Sequence, residues 1–575
     1  MKIPCIILAL AMAITHPCGG HASAYRAKMS GNTLEADIIV IGGGAAGCIL
    51  MSELSKKFSV LGIEAGENLT TDPAIEAVGL PALLLAQTGR YKYFWPGWTQ
   101  TVPMAGLNGR TSDWTTGMVL GGGASINGLY YGRGSNAMYS RWEEVSGSSN
   151  WSLGNILATF NTLENYQGMT TTPGARGVGG PLNVLQTPTL SDITTNVLLQ
   201  ATQQAFPGIP TVNDYNDPSA INCIDPRAQW FIDPTGTKRV SSATAYLNRS
   251  VMTPEGQGVN GHKLFVLFDT VAVKILFDSH GRAKRVRYVQ DGKIFEAKAR
   301  KAVVLAGGIN SSKLLQLSGI GPSEVLQNAG IEPVFINENV GKHLQNHPLI
   351  FIALTTNPHT SGIPPGAPYS FTIHNVYLPA KGGSASDPRM LQILFEYIPA
   401  TAHTDPLIAM GFELLNPVSE GSVNILSDNS FQLAAADDGF YQNPIDLENM
   451  MYAIQTYIKN LLGQLAAIDP PYYTPVLIDP FLSVLIGNYS NDSVTQYIKN
   501  NSNLSLDVHH FTGHCKMAPL NAGGVVDGNT RVYGTKNVYV ADDSICPVIP
   551  DINTAGPAMM IGLRASEILK QVLKQ

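Results

Sequence analysis

The chain has 575 residues, too many for one ordinary core, so two or three folding units are expected. With 44% hydrophobic and 14% charged residues it reads as a well-packed globular protein, which excludes disorder as its main character. A net charge of -6 without any basic run argues against nucleic acid as the main partner. Lys2, the apolar stretch from Ile3 to Ile14 and the small-residue step Ala22-Ser23-Ala24 have the layout of a signal peptide. That segment, residues 1–24, predicts a secreted or periplasmic protein, and its apolar core is too short for a stable membrane anchor. Cys5 and Cys18 would leave with it. Cys48, Cys223, Cys515 and Cys546 are too scattered for a disulfide framework, and no C-x-x-C or H-E-x-x-H pair suggests a metal site.

The run Asp37 to Ile41 is short and continuously apolar after its first residue, the pattern of a parallel strand buried on both faces. Glycines follow, then Ala45 to Lys57 reads as a helix and Phe58 to Ile63 as a second buried strand. The three make a β-α-β unit. Lys301 to Ala306, leading into Gly307-Gly308, and Val538 to Ala541 are further strands of this type. Between them Met390 to Ile398 and Gly411 to Leu415 mix polarity, as in an antiparallel sheet with one face covered. Met450 to Leu462 has helical spacing, preceded by the start signal Asn443-Pro444-Ile445-Asp446. The expected fold is a doubly wound, Rossmann-like α/β domain, dispersed along the chain, plus an α+β domain with an antiparallel sheet.

Gly42-x-Gly44-x-x-Gly47 lies where the first strand meets the helix. Gly42 permits the tight turn, Gly44 lets the backbone approach a pyrophosphate, and Gly47 lets helix and strand pack closely. Ala45 and Ala46 complete the loop, and the helix N-terminus offers free N–H groups to phosphates. Glu64 ends the second strand, where an acid can bind a ribose hydroxyl. Together these predict a bound dinucleotide, NAD or FAD. Gly121-Gly122-Gly123 forms a second place where main-chain N–H groups can press against a flat or anionic ligand. Tyr91, Tyr93, Phe94 and Trp95 read as ordinary packing rather than a substrate lid.

Five segments, in order along the chain, decide between the two dinucleotides. Gly117-Met-Val-Leu-Gly-Gly-Gly-Ala-Ser-Ile-Asn-Gly-Leu-Tyr-Tyr-Gly-Arg-Gly134 resembles the first signature of the glucose–methanol–choline (GMC) oxidoreductases. Leu305 to Pro322 resembles the second, Asn339 to Pro348 the following V-G-x-x-L-x-D-H-P segment. His510-x-x-Gly513-x-Cys515-x-Met517 and Asn553-Thr554-x-x-Pro557 are similar to the two C-terminal active-site stretches. Three positions depart from the family: Ser312 stands for a usual proline, Gly308 for a small non-glycine residue, and Asn346 for a usual aspartate.

The resemblance implies FAD, with Val119, Gly122, Gly123, Ser125, Asn127 and Gly128 beside the flavin. It implies Val271 holding adenine through its main chain, and Asp542 near the ribityl and pyrophosphate portion. Asn553 and Thr554 close the cofactor site. Ile126 stands where relatives with covalent FAD place a histidine, so the cofactor is expected to be noncovalent. With the dispersed buried strands, this makes residues 36–150, 231–345 and 505–575 the expected, discontinuous FAD-binding domain, and the inserted 151–230 and 346–504 the expected substrate-binding domain.

Oxidising an alcohol requires a base for the hydroxyl proton and an acceptor for the hydride, and histidine suits the first task. His509, His510 and His514 lie together, and spacing alone leaves all three open. The resemblance selects His510 as catalytic base, with Asn553 orienting the substrate oxygen. The expected function is FAD-dependent oxidation of an alcohol by hydride transfer to flavin N5, with oxygen or another acceptor taking the electrons. The alternative is a hydroxynitrile lyase on the same scaffold, which a histidine at Asn553 would have favoured.

Overall fold

The apolar run Asp37 to Ile41 closes strand β1 (Thr33–Ile41), and its side chains split between two cores. Ile39 and Ile41 enter one cluster, Ile38 and Val40 the other, as a central strand covered on both faces requires. The chain turns at the glycines into α1 (Ala45–Ser55) and returns as β2 (Val60–Ile63), parallel to β1. The structure is a computed structural model that describes residues 25, 28–30, 33–78, 90–96, 102–112, 114–186, 192–356, 372–398, 407–468, 473–475, 490–500 and 506–574. The predicted signal segment and the side chain of Tyr91 lie outside them.

After the single turn α2 (Gly123–Ile126), the sheet gains β3 (Leu264–Leu267), β4 (Thr270–Phe277), β5 (Ala283–Gln290) and β6 (Lys293–Leu305). The order is β3-β2-β1-β6-β5-β4, parallel from β3 to β6 and antiparallel beyond. Only the buried end of β6 was visible as an apolar run. Its first half, Lys293 to Lys298, is largely exposed and pairs with β5, so it has no reason to be apolar.

The four long strands of a second, seven-stranded sheet are β7 (Pro348–Thr356), β8 (Thr372–Pro379), β9 (Arg389–Ile398) and β10 (Leu407–Leu414), ordered β7-β10-β9-β8 and antiparallel throughout. Alternation gives the sheet two different faces. Ile393, Phe395, Met410 and Phe412 share a core with Met450, Ile454 and Leu461 from the helices that cover one face. Met450 lies in α3 (Pro444–Tyr452), Leu461 in α4 (Lys459–Ala467) and Ile454 between them. Asn443 caps α3 by accepting the Ile445 N–H, with Pro444 at the first position, as its sequence announced. A π-helical stretch, Ala453–Ile458, joins α3 to α4. Gln392 and Glu413, paired across β9 and β10, point to the opposite face.

The chain then returns to the first sheet. Strand β11 (Val538–Val540) pairs parallel with Val303–Leu305 of β6, and α5 (Ala555–Val572) lies against α1. A Cβ on Gly562 of α5 would come within 2.7 Å of Ala46 O, so glycine permits that approach. The architecture is a doubly wound α/β domain joined to an α+β domain with an antiparallel sheet.

Candidate active site

The glycine fingerprint forms a cradle at the carboxyl ends of the parallel strands. Gly42 has φ +99°, and a Cβ there would sit 2.3 Å from Ala306 O. A Cβ on Gly47 would lie 2.0 Å from Gly42 O, which is the close helix–strand approach the motif predicts. Helix α1 starts at Gly44 with no side-chain cap and no acid in its first turn, so its N–H groups are free for an anion. Ala45 is half-buried and Ala46 buried behind it. Gly121 N–H donates to Gly43 O at 2.7 Å, which brings the second glycine loop against the first, while Gly122 N–H donates to Val119 O at 2.7 Å within the second loop. A Cβ on Gly123 or Gly128 would meet nothing within 4 Å.

Glu64 is buried at the end of β2. Its Oε2 accepts the Gly43 N–H at 2.6 Å and its Oε1 the Gly66 N–H at 2.8 Å. Burial pushes its carboxyl up to about 7 against the pull of those N–H groups. Thr270 N–H donates to Glu64 O at 2.9 Å, so Val271 follows directly on a residue bound to this acid. Ser125 is buried and its hydroxyl donates to Leu120 O at 2.7 Å. Asn127 Oδ1 accepts from Leu129 N–H at 3.0 Å and from Arg239 at 2.8 Å. Ile126 packs with Ala74, Ile75, Tyr93 and Phe94, which makes those aromatics packing residues. Asp542, at the end of β11, accepts from Gly308 N–H at 2.9 Å and Ser311 Oγ at 2.6 Å, and so ties the second signature to the last strand.

The structure separates the three histidines. His509 Nε2 lies 2.6 Å from Thr115 Oγ1. His514 is buried with Nδ1 2.9 Å from Ser312 Oγ, and burial pushes it down to about 3, so it stays neutral. The hydroxyl at position 312 thus replaces the usual proline with a partner for His514. His510 is placed by pairing on both sides of it: Asp507 with Pro348, and Thr512 with Gln345. Its Nε2 lies 3.4 Å from Asn553 Nδ2. Asn553 precedes Thr554, the buried N-cap of α5, and its Oδ1 is buried with no partner among the described residues.

Two further residues converge on His510. Its Nδ1 is 2.9 Å from Glu413 Oε1 and 2.9 Å from His347 Nδ1, and His347 Nδ1 is 2.8 Å from the same Glu413 oxygen. His347 and Glu413 are fully buried. These three residues also group ligating atoms of metal-binding type within 4.8 Å of one another, which linear spacing did not suggest. His347 lay inside a recognised segment without a role attached. Glu413 was missed, although a lone acid within Gly411-Phe412-Glu413-Leu414-Leu415 is a signal in itself.

Two family models, both described as GMC oxidoreductase, match residues 36–349 and 417–562. The chain belongs to the GMC oxidoreductases. An oxygen-dependent choline dehydrogenase of Brucella anthropi is 30% identical, over 93% of this chain and 95% of the relative. Among solved structures, pyridoxine 4-oxidase from Mesorbium loti superposes with TM-score 0.77 at 23% identity, over 93% of this chain and 99% of that one. A formate oxidase from Aspergillus oryzae gives TM-score 0.80 at 20% identity, over 95% of this chain and 100% of that one. As a member of this family the chain is an FAD-dependent oxidoreductase. The uncapped helix N-terminus, the paired glycine loops and buried Glu64 fit such a cofactor. Among the described residues, no helix is long and apolar enough to cross a membrane.

Proposed function

We propose that this GMC oxidoreductase oxidises the CH–OH group of a small alcohol to an aldehyde or ketone, with His510 as base and Asn553 orienting the substrate oxygen. The observation that carries this reading is the pairing of His510 Nε2 with the Asn553 amide at 3.4 Å, beside a buried Asn553 Oδ1 that has no partner among the described residues. An alcohol hydroxyl between them would donate its proton to Nε2 and accept from the amide. FAD, when bound, supplies the hydride acceptor. His510 Nε2 takes the proton; Asn553 does not titrate, so it can only orient. Isoleucine at position 126 forms no covalent bond to a flavin, which makes the cofactor noncovalent. The first sheet and its helices hold the cofactor, and the antiparallel sheet, reached through residues 346–504, walls the substrate. The names of the relatives make amino alcohols and aromatic primary alcohols the first substrates to try, with oxygen as the first acceptor.

The test is anaerobic mixing of the purified yellow protein with an alcohol panel, followed by admission of air. Bleaching of the flavin absorbance is expected with at least one alcohol, and rapid return of colour in air marks an oxidase. Absence of bleaching with every alcohol, aldehyde hydrate and sugar would overturn the reading. His510→Ala is expected to keep its FAD yet slow the reduction by about 10²–10⁴-fold.

A further inference from the structure

We propose that Glu413 is a positioning residue for His510, holding its Nδ1–H so that Nε2 is the nitrogen that takes the substrate proton, with His347 clasping Glu413 in turn. The inference rests on the alcohol-oxidising reading above and deepens it. Glu413 Oε1 lies 2.8 Å from one ring nitrogen and 2.9 Å from the other. A carboxylate oxygen only accepts, so both rings present Nδ1–H to it. A hydrogen bond between the two Nδ1 atoms would instead leave one of them bare, with its lone pair against Oε1. Neutral imidazole carries one proton, so Nδ1–H leaves Nε2 bare. In His510 that bare nitrogen faces Asn553 Nδ2, which can only donate. Both ends of the ring therefore require the same tautomer.

The sheet makes this arrangement rigid. Glu413 sits between Leu349 of β7 and Gln392 of β9 in the ladder, so its height on the sheet is set by two registers. His347 lies two residues before Leu349 and falls on the same face. Asn346 Oδ1 accepts the N–H groups of both His347 and His510, at 2.9 and 3.0 Å, which locks the two histidine backbones to each other. When His510 takes the substrate proton, the resulting cation has a fully buried carboxylate 2.9 Å from its far nitrogen. Burial pushes the Glu413 carboxyl up, but the His510 charge and the hydrogen bonds from both rings outweigh it and hold it at about 2. Other ionisable groups bearing on the cluster are Glu396, farther along β9, Tyr377 of β8, and Asp551, which acts on His347.

The experiment compares Glu413→Gln, His347→Asn and His510→Ala holoenzymes by anaerobic stopped-flow reduction across pH, with FAD content and visible spectrum as the check on folding. Glutamine keeps one acceptor oxygen for Nδ1–H, removes the charge and turns the second oxygen, which has no partner among the described residues, into an amide donor. The expected result for Glu413→Gln is full FAD content and a reduction rate lowered by about 10²–10⁴-fold, with KM changed by less than about threefold. The acid limb of its rate–pH profile should move to lower pH, because the anion that favours a protonated ring is gone. His347→Asn should lose about tenfold in rate, since the carboxylate keeps only one clasp, and it carries the test if the glutamine variant fails to fold. A wild-type rate and acid limb in Glu413→Gln, or a loss confined to KM, would overturn the positioning role. So would a stoichiometric divalent metal retained by the holoenzyme through gel filtration, which would assign the three side chains to that ion. If His510→Ala reduces normally, the underlying reading fails; if it is slow while Glu413→Gln is not, only this inference fails.

Discussion

Asn346 shows how one residue can leave the family pattern and still fit. Its Oδ1 takes the two histidine N–H groups, while its Nδ2 donates to Asp438 Oδ1 at 3.0 Å. Asp438 in turn accepts the Trp114 indole N–H at 3.0 Å, and all of these groups are buried. The aspartate usual at 346 would set one buried carboxylate against another. Asn346→Asp is therefore expected to lower stability by about 2–4 kcal/mol at pH 8. One carboxyl of the new pair would have its folded-state pKa raised above the unfolded value. The penalty is accordingly absent at low pH and grows as pH rises through the raised pKa. Urea midpoints at pH 5 and pH 8 measure it; equal destabilisation at both would show that repulsion is not the cause. The same residue marks the limit of what the chain announces in one dimension. His510 and Asn553 were legible because they stand in recognisable strings. Glu413 was not, because only a β-sheet register brings it to a histidine 97 positions later.

At the scale of elements, glycines divide into those that allow packing and those that leave room. Gly47 belongs to the first kind and Gly123 to the second. Gly47→Ala would drive a Cβ to 2.0 Å from Gly42 O, forcing α1 away from β1. It is expected to yield protein with little FAD and a lowered thermal midpoint, by a cost typical of overpacking, about 1–3 kcal/mol. Gly123→Ala meets nothing within 4 Å, and its fold should be unchanged. If the open surface there is the cofactor's, this variant should still bind FAD more weakly, as read by fluorescence titration of the apoprotein. Unchanged affinity would place the flavin elsewhere. The elements themselves were legible wherever burial was two-sided, as in β1 and β2, or where a cap stood in the sequence, as at Asn443. They were not where exposure removes the pattern, as in the first half of β6; the helical spacing read over Met450 to Leu462 did not reveal that a π-helical stretch occupies Ala453–Ile458 within it.

At the scale of the whole molecule, the chain that follows the first signature is fastened to the first sheet by a shared apolar core, which Trp151, Ile156 and Phe160 enter, and by a buried ionic network. Arg133 closes the first signature segment, whereas Glu164, Arg176 and Asp214 belong to the inserted chain that follows. Glu164 accepts from Arg133 through Oε1 and from Arg176 through Oε2 at 2.6 Å, and Arg176 reaches Asp214 at 2.8 Å. The side chains of both arginines are 1% exposed and both acids 0%. Tyr131 O–H donates to Glu164 at 3.1 Å, and Gln229 Oε1 accepts from Arg176 at 2.9 Å. A buried network of this kind adds little over an apolar replacement, but removing one member leaves the others uncompensated. Glu164→Gln keeps the shape and removes the charge that two guanidinium groups share. It is expected to cost about 3–5 kcal/mol in chemical denaturation. Because the network joins the chain of the first signature to the inserted residues 164–229, both should fail together. Release of FAD, followed by its fluorescence, should then coincide with loss of secondary structure at a lower denaturant concentration than in the wild type. An FAD-release midpoint that stays at the wild-type value while the secondary structure melts earlier would show that the cofactor domain stands without this fastening.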